Sequence, residues 1–302
     1  MVNFAKIEYY LRGICFFAHL IFALIMVAVT EATKPLEKII AKKYGHLWEG
    51  VFHMDCLQDY WIHYGFCPGM FATAGINVHV TFQCQQPKHS KDRKVVMFTH
   101  GSNLDPPAVN GSFPFTSSFI SKKDLFKVPL LGWCLKLTGQ IPVDRGDLEQ
   151  AKKSLDEAAQ LCRRENRFIS ISVEGKRRRD PSTGPDQLLP FKKGPFHMAK
   201  KCAVDIIPCI LKGAHRLWPP GTIFPKSGQM FMEYLEAIPG EEVEKLSVEE
   251  LQDKVRKIMT ARMDRLPDEV VFSQEDKPWI YFIIVLGFLA RVSIIFWSWI
   301  LF

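Results

Sequence analysis

The alternation of strand-like and helix-like patterns along the middle of the chain constrains the fold most. Residues 76–83 alternate between apolar and polar side chains, which is typical of a half-buried strand. Further strand-like runs occupy residues 94–98, 167–173, 204–211 and 229–238, and helix-like patterns occupy residues 147–164, 194–203 and 247–265. This alternation predicts an α/β domain in which helices pack on a sheet.

An apolar stretch near the start of the chain predicts contact with a membrane. Residues 13–30 lie at the lower length limit for a spanning helix, and a helix embedded in one leaflet fits them as well. A cleaved signal peptide is a third interpretation, which Glu8 and the cysteine pattern disfavour. A basic amphipathic segment at residues 34–50 and an aromatic-rich segment at residues 47–71 would, as helices, complete a two-helix membrane module.

The strongest membrane signal is the apolar segment at residues 279–302. It is long enough to span a bilayer and begins and ends with aromatic residues, although Arg291 interrupts it. Basic residues follow the first apolar stretch and precede the last one, which places the middle of the chain in the cytosol by the positive-inside rule. We expect a membrane-associated helical module at residues 1–74, a catalytic domain at 75–266, and a linker with a transmembrane helix at 267–302.

The net charge and the cysteine pattern indicate which partners the protein binds and in which compartment it lies. The net charge is +7, and the clustered lysines and arginines favour anionic lipid or a phosphate-bearing substrate over a plain solvated surface. Nucleic acid is not expected, because no basic helix or RNA-binding aromatic pattern accompanies the charge. The eight cysteines are scattered, which argues against a disulfide framework or a zinc site and indicates a reducing compartment. Cys134, Cys162 and Cys209 lie in apolar runs and are predicted to be buried thiols.

A possible catalytic pair lies where the strand at residues 94–98 ends. The following loop carries His100 and Asp105, and Asp105 precedes Pro106, which predicts that Asp105 caps a helix. A carboxylate beside an imidazole holds one ring tautomer and makes the other ring nitrogen more basic. The pair is therefore interpreted as a general base for a hydroxyl or a water. A loop histidine beside an unrelated helix cap would give the same pattern, so this motif alone does not distinguish the two interpretations.

Further blocks downstream carry residues suited to the same site. In order, the blocks are residues 99–105, 139–146, 173–177, and 191–194 with 206–208. In this order and at this spacing they resemble the blocks of the glycerolipid acyltransferase superfamily, whose central members are the lysophosphatidic acid (1-acyl-sn-glycerol-3-phosphate) acyltransferases. The resemblance covers roughly residues 75 to 240 and includes the runs at 121–125 and 128–133.

The resemblance implies a fold and a reaction. The fold would be a mixed sheet flanked by helices, and the reaction would move a fatty acyl group from acyl-CoA to the free hydroxyl of lysophosphatidic acid, giving phosphatidic acid. His100 would take the hydroxyl proton and Asp105 would orient the imidazole, without a covalent acyl-enzyme. Backbone N–H groups of residues 101–105 are candidates for stabilising the oxyanion. No metal or cofactor is expected, acyl-CoA being a co-substrate, and the expected location is the cytosolic side of the endoplasmic reticulum membrane.

The resemblance also assigns substrate-binding residues. Lys122, Arg145 and Arg177 would bind the phosphate of the acceptor, and Glu174 and Gly175 would shape its site. Each of these residues also has a structural interpretation, which is surface charge or ion pairing for the cations, an arginine partner for Glu174 and a sharp turn for Gly175. Pro208, in the last block, is expected to fix a strand near the site rather than to contact substrate.

Two departures from the family pattern leave the acceptor open. Thr99 stands where the family usually has Asn, and Lys176 stands where Thr is common. Glycerol-3-phosphate, a lysophospholipid with a larger head group, and tafazzin-like transacylation without CoA are therefore alternatives. A different class, a catalytically silent lipid-binding membrane protein, is disfavoured by the intact His100 and Asp105.

Overall fold

The computed structural model describes residues 4–52, 56–87, 94–113, 115–165, 167–177 and 188–267. The transmembrane helix predicted at residues 279–302 lies outside these residues, as does the predicted linker after residue 267.

The first part of the described chain is helical. Its elements are α1 (Phe4–Phe52), α2 (Leu57–Tyr60), a π-helical turn (Trp61–Phe66) and α3 (Cys67–Ala74). The segments predicted separately at residues 13–30 and 34–50 belong to one continuous helix, α1, with Pro35 inside it. Within the described residues, one helical stretch, Lys6–Ile40, is long and apolar enough to cross a membrane.

A seven-stranded sheet forms the centre of the α/β domain. Its strands are β1 (Ile76–Phe82), β2 (Val95–Phe98), β3 (Ser118–Lys122), β4 (Ile141–Val143), β5 (Ile169–Ser172), β6 (Ile206–Lys212) and β7 (Gly228–Tyr234). Their order in the sheet is β1-β7-β6-β2-β5-β3-β4. β6 and β7 pair antiparallel and the other neighbours pair parallel, so the predicted mixed sheet is confirmed.

Helices cover both faces of this sheet. They are α4 (Asp105–Gly111), a 3-10 helix (Lys123–Lys127), α5 (Leu131–Leu137), α6 (Leu148–Arg164), α7 (Lys193–Cys202), α8 (Ala214–Leu217), α9 (Gly240–Lys245) and α10 (Val248–Met263). The helices predicted at 147–164, 194–203 and 247–265 are α6, α7 and α10. Both α6 and α10 have an N-terminal cap, because Asp147 accepts from the first turn of α6 and Ser247 forms a capping box with Glu250.

The core consists of two apolar layers separated by the sheet. On β2, Val95 and Met97 face the layer formed with α6, α7 and α10, whereas Val96 and Phe98 face the layer formed with α3 and α4. This division follows from the period of two residues along a strand. The cysteines predicted to be buried, Cys134, Cys162 and Cys209, are buried, and all eight cysteines are free thiols.

Candidate active site

The candidate residues meet at one edge of the sheet because five neighbouring strands, β2 to β6, run parallel. β2, β3, β4 and β5 all end at this edge. His100 follows β2, Lys122 ends β3, Arg145 follows β4 and Glu174 follows β5. Residues beyond the carboxyl ends of parallel strands form the usual binding crevice of an open α/β sheet.

His100 and Asp105 form a hydrogen-bonded pair at this edge. Nδ1 of His100 lies 2.9 Å from Oδ2 of Asp105, and the same oxygen accepts from the backbone N–H groups of Gly101 and Ser102 at 2.7 Å each. The Asp105 side chain has no exposed surface, while that of His100 is 15% exposed. Because a carboxylate only accepts, Nδ1 carries the proton and Nε2 is left with a lone pair. Nε2 forms no hydrogen bond within the described residues.

The structure corrects the predicted capping role of Asp105. The strand, loop and helix predicted around His100 are present, but Asp105 is the first residue of α4, and no side chain caps this helix. The carboxylate instead turns back toward the amides of Gly101 and Ser102. The loop is thus wound around the carboxylate, which fixes the imidazole relative to the end of β2.

Glu174 holds the backbone on both sides of the site. Its side chain is fully buried, Oε1 accepts from the N–H of His100 at 2.9 Å, and Oε2 accepts from the N–H of Leu189 at 3.1 Å. One carboxylate therefore ties the end of β2 to the segment that leads into α7. These contacts give Glu174 a positioning role, and the shaping of an acceptor site by its side chain stays a prediction.

Gly175 and Arg177 bring the third block to the His100 loop. Gly175 has a φ of +67°, and a Cβ there would lie 3.0 Å from Cγ of Lys192, so the predicted sharp turn is present and favours glycine. Beyond this turn, Nη1 of Arg177 donates to Oδ1 of Asn103 at 2.7 Å. Asn103 lies between His100 and Asp105, so the guanidinium is attached to the same loop as the proposed base.

Arg145 and Arg177 lie close enough for their positive charges to interact. Burial lowers the pKa of Arg145, and the neighbouring charge of Arg177 lowers it further. No carboxylate among the described residues pairs with Arg145. Two neighbouring guanidinium groups repel each other, and a dianionic group placed between them would relieve this repulsion.

Lys122 and Pro208 take different positions from these arginines. The Lys122 side chain is 59% exposed and pairs with Asp124 at 2.5 Å, so no described contact joins it to the His100 loop. Its binding of phosphate stays a prediction. Pro208 is buried within β6, opposite Met97 of β2, where it fixes the strand beside the site.

The structure changes the interpretation of the first departure from the family pattern. Thr99 is fully buried, and its Oγ1 accepts from the N–H of Leu211 at 2.9 Å. This bond ties β2 to β6, so the side chain faces the sheet rather than an acceptor. Lys176 is exposed and stays a candidate for contact with substrate.

The loop amides expected to stabilise an oxyanion are mostly occupied. The residues whose N–H groups already donate are His100, Gly101, Ser102, Leu104 and Asp105. Within residues 100–105, the N–H of Asn103 alone has no hydrogen bond to any described residue. This difference cannot be predicted from the amino-acid sequence, because it depends on the direction of each peptide plane.

The described residues contain no group of histidine, cysteine or carboxylate side chains able to hold a metal ion. The arrangement therefore consists of a histidine held by a carboxylate, a nearby pair of arginines and one unpaired amide.

The comparisons with known proteins match this chain to acyltransferases. Residues 77–212 match the Acyltransferase family model. The chain is 30% identical over 188 residues to a 1-acyl-sn-glycerol-3-phosphate acyltransferase of Limnanthes douglasii, covering 62% of this chain and 64% of that protein. It is 29% identical over 167 residues to the enzyme of the same name from Saccharomyces cerevisiae, covering 55% of this chain and 54% of that protein. The match thus spans less than two thirds of these relatives.

A solved structure shows the same fold. The crystal structure of the 1-acyl-sn-glycerophosphate acyltransferase from Thermotoga maritima aligns with a TM-score of 0.65 and 22% identity, covering 86% of this chain and 97% of that one. The predicted resemblance to the glycerolipid acyltransferases is therefore confirmed.

Proposed function

We propose that the protein transfers a fatty acyl group from acyl-CoA to the free hydroxyl of lysophosphatidic acid, giving phosphatidic acid. The observation that carries the proposal is the His100–Asp105 pair, in which a fully buried carboxylate holds Nδ1 at 2.9 Å and leaves Nε2 available. The names of the relatives supply the acceptor and the product.

The pair supports direct attack by the acceptor hydroxyl. The hydroxyl gives its proton to Nε2 of His100 as its oxygen attacks the carbonyl carbon of the thioester. The tetrahedral intermediate collapses, the C–S bond breaks, and the leaving thiolate of CoA takes the proton from the imidazolium. Asp105 stabilises this imidazolium and holds the ring. General base catalysis of this kind typically contributes about 100- to 10,000-fold.

The arginine pair supports a phosphate-bearing acceptor. Arg145 and Arg177 would each present a planar fork to the phosphate oxygens, and the developing oxyanion would find the unpaired N–H of Asn103. Because Arg177 also holds the side chain of Asn103 at 2.7 Å, binding of the head group would order the loop that carries His100.

The long apolar helix supports a membrane location for this reaction. α1 leaves large apolar side chains exposed, among them Leu11, Ile14 and Ile21 at 58%, 59% and 54%. Such exposure suits lipid contact, and a lysolipid acceptor would keep its acyl chain in the bilayer while its phosphate reaches the arginines. The endoplasmic reticulum and a cytosolic catalytic domain belong to this proposal.

An acceptor assay tests the proposal. The full chain in phospholipid vesicles is supplied with labelled oleoyl-CoA and, separately, lysophosphatidic acid, glycerol-3-phosphate or a lysophospholipid with a larger head group, and transacylation is measured without CoA. We expect lysophosphatidic acid to be the preferred acceptor and His100→Ala to abolish turnover. His79→Ala, which changes an exposed histidine on β1, is the matched control.

Each result has a defined meaning. Preference for another acceptor would show that lysophosphatidic acid is not the substrate, while His100 would remain the proposed base. Turnover at the wild-type rate in His100→Ala would exclude His100 as the general base. Absence of acyl transfer to every acceptor would leave a lipid-binding protein without catalytic activity.

A further inference from the structure

The segment between β3 and α5 contains a strained turn. Leu130 has a φ of 62° and a ψ of −56°, and the N–H of Leu131 donates to the carbonyl of Pro129 at 2.7 Å. These values describe a γ-turn of the rare hand, which is costly for a residue with a side chain. A Cβ on Gly132 would lie 2.2 Å from the carbonyl oxygen of Phe126, so the turn is also closely packed. Strain of this kind persists where the surrounding contacts fix the shape of the segment.

The turn exposes apolar side chains within a cluster of lysines. Leu125 is 41% exposed, Val128 43% and Trp133 52%, and we call these three residues the apolar tip. The lysines exposed around the tip are Lys122, Lys123, Lys127 and Lys136. Their acidic partners are Asp124 and Asp144, so the segment retains a net positive charge.

The apolar tip leads into α5, and α5 packs on α1. One side of α5 packs on α1, where Sγ of Cys134 donates to the carbonyl of Leu24 at 3.2 Å. Ile21 and Ile25, on either side of Leu24, are 54% and 48% exposed. Trp133 lies in α5 next to Cys134, so its exposed ring belongs to the helix that packs on α1.

The segment also lies at the edge of the sheet that carries the site. Lys122 ends β3, and Lys123 pairs at 3.6 Å with Asp144, the residue before Arg145. A bilayer in contact with the apolar tip would therefore also lie close to the strand end that leads to Arg145, the arginine proposed to bind the acceptor phosphate.

We propose that residues 122–133 are a second membrane contact, in which the apolar tip enters the interface of an anionic bilayer and the lysines bind lipid phosphates. The proposal rests on the membrane location given under the proposed function, and it adds an element outside α1. A tryptophan beside lysines at the border of an apolar surface suits the level of the head groups. A lipid surface suits both parts of this segment, because it accepts the apolar tip and supplies phosphates to the lysines.

Site-specific photocrosslinking tests the contact. p-Benzoylphenylalanine replaces Val128 in the full chain, which is reconstituted in neutral phosphatidylcholine vesicles or in vesicles containing phosphatidylglycerol. Adducts are identified by mass spectrometry. The substitution at Ile25 is the positive control for insertion, and that at Val80, which is 37% exposed on the edge strand β1, is the matched negative control. We expect lipid adducts at positions 25 and 128 and none at 80, with a severalfold higher yield at 128 when phosphatidylglycerol is present.

The charge requirement is tested in the same assay. Lys123→Gln with Lys127→Gln should remove the gain from phosphatidylglycerol at position 128, whereas Lys152→Gln, on α6, should not change it. A lipid adduct at 25 without one at 128 would overturn the proposal, and so would crosslinking of 128 to a protein. An unchanged gain in the lysine variant would overturn the role of the lysines. Crosslinking requires no turnover, so its result is independent of the acceptor assay.

Discussion

At the scale of the residue, one buried oxygen organises the site. Oδ2 of Asp105 accepts from the ring of His100 and from the amides of Gly101 and Ser102. The carboxylate therefore has two functions, because it fixes the tautomer of the base and the shape of the loop. Sequence spacing shows the first function, but the second depends on backbone directions.

Asp105→Asn should separate catalysis from simple contact with substrate. An amide can present its NH₂ to the ring and stabilise the wrong tautomer, so we expect kcat to fall about 100- to 10,000-fold with a smaller change in KM for the acceptor. Steady-state kinetics in vesicles measures this, and Asp253→Asn, at an exposed aspartate of α10, is the control. A kcat within twofold of wild type would exclude Asp105 as the residue that orients the base.

Glu174→Gln tests whether this residue acts by positioning. Glutamine has one acceptor oxygen for the two N–H groups that Glu174 holds, so a buried donor is left unpaired at a cost of about 1–3 kcal/mol. We expect a lower melting temperature and a lower kcat, with KM for the acceptor little changed. A large rise in KM with normal stability would instead indicate direct contact with the acceptor. Thermal unfolding and kinetics on the same preparation distinguish the two.

At the residue scale, the positions of the site residues could be predicted from the sequence, but some of their contacts could not. The spacing of His100 and Asp105 after a strand predicted that they lie together at its end, and the family resemblance assigned Arg145 to the same site. Thr99 looked like a determinant of the acceptor, but its side chain bonds the backbone of the next strand. Such a bond cannot be read from the sequence, because it requires the register between β2 and β6.

At the scale of the element, parallel strand ends bring the blocks together. Arg145 follows β4 and Arg177 lies beyond β5, and these strands are separated in the sheet by β3 alone. Alternating patterns predicted most of these strands and helices well, because burial against one or two faces imposes a period. The continuity of α1 was missed because the sequence was divided by composition, whereas lysine and glutamate extend a helix as readily as leucine does.

Arg145→Ala should weaken binding of phosphate-bearing acceptors. Charge-assisted hydrogen bonds contribute about 1.5–3 kcal/mol, so we expect kcat/KM for lysophosphatidic acid to fall roughly 10- to 100-fold. Arg164→Ala, at an exposed arginine at the end of α6, is the matched control. The double variant with Arg177→Ala should lose less than the sum of the single losses, because both cations would bind one phosphate. Unchanged kinetics would show that Arg145 does not bind the acceptor.

At the scale of the whole molecule, one loop connects α1 to the catalytic loop. The ring of Phe224 contacts the rings of Tyr9 and Phe17 on α1, and its carbonyl accepts from the hydroxyl of Tyr9 at 3.2 Å. In the same loop, the carbonyl of Trp218 accepts from Oγ of Ser102, two residues after His100, at 3.4 Å. Contacts through residues 218–224 thus link the long helix to the loop that carries His100.

Gly13→Ala tests this connection. A Cβ at residue 13 would lie 2.3 Å from Cγ of Phe224, so the ring must move away from α1. Overpacking of this kind typically costs about 1–3 kcal/mol, although alanine favours an isolated helix over glycine by about 1 kcal/mol. We therefore expect a lower melting temperature and, because the loop also holds Ser102, a lower kcat.

A double-mutant cycle identifies the cause of the loss. Phe224→Ala removes the ring and costs stability by itself, but it also makes room for a methyl group at residue 13. In that background Gly13→Ala should leave the melting temperature unchanged or raise it, whereas in the wild-type background it should lower it. The same loss in both backgrounds would show that the strain arises elsewhere in α1. A restored melting temperature with a kcat that stays low would show that the ring itself, and not only the space around it, holds the catalytic loop in position.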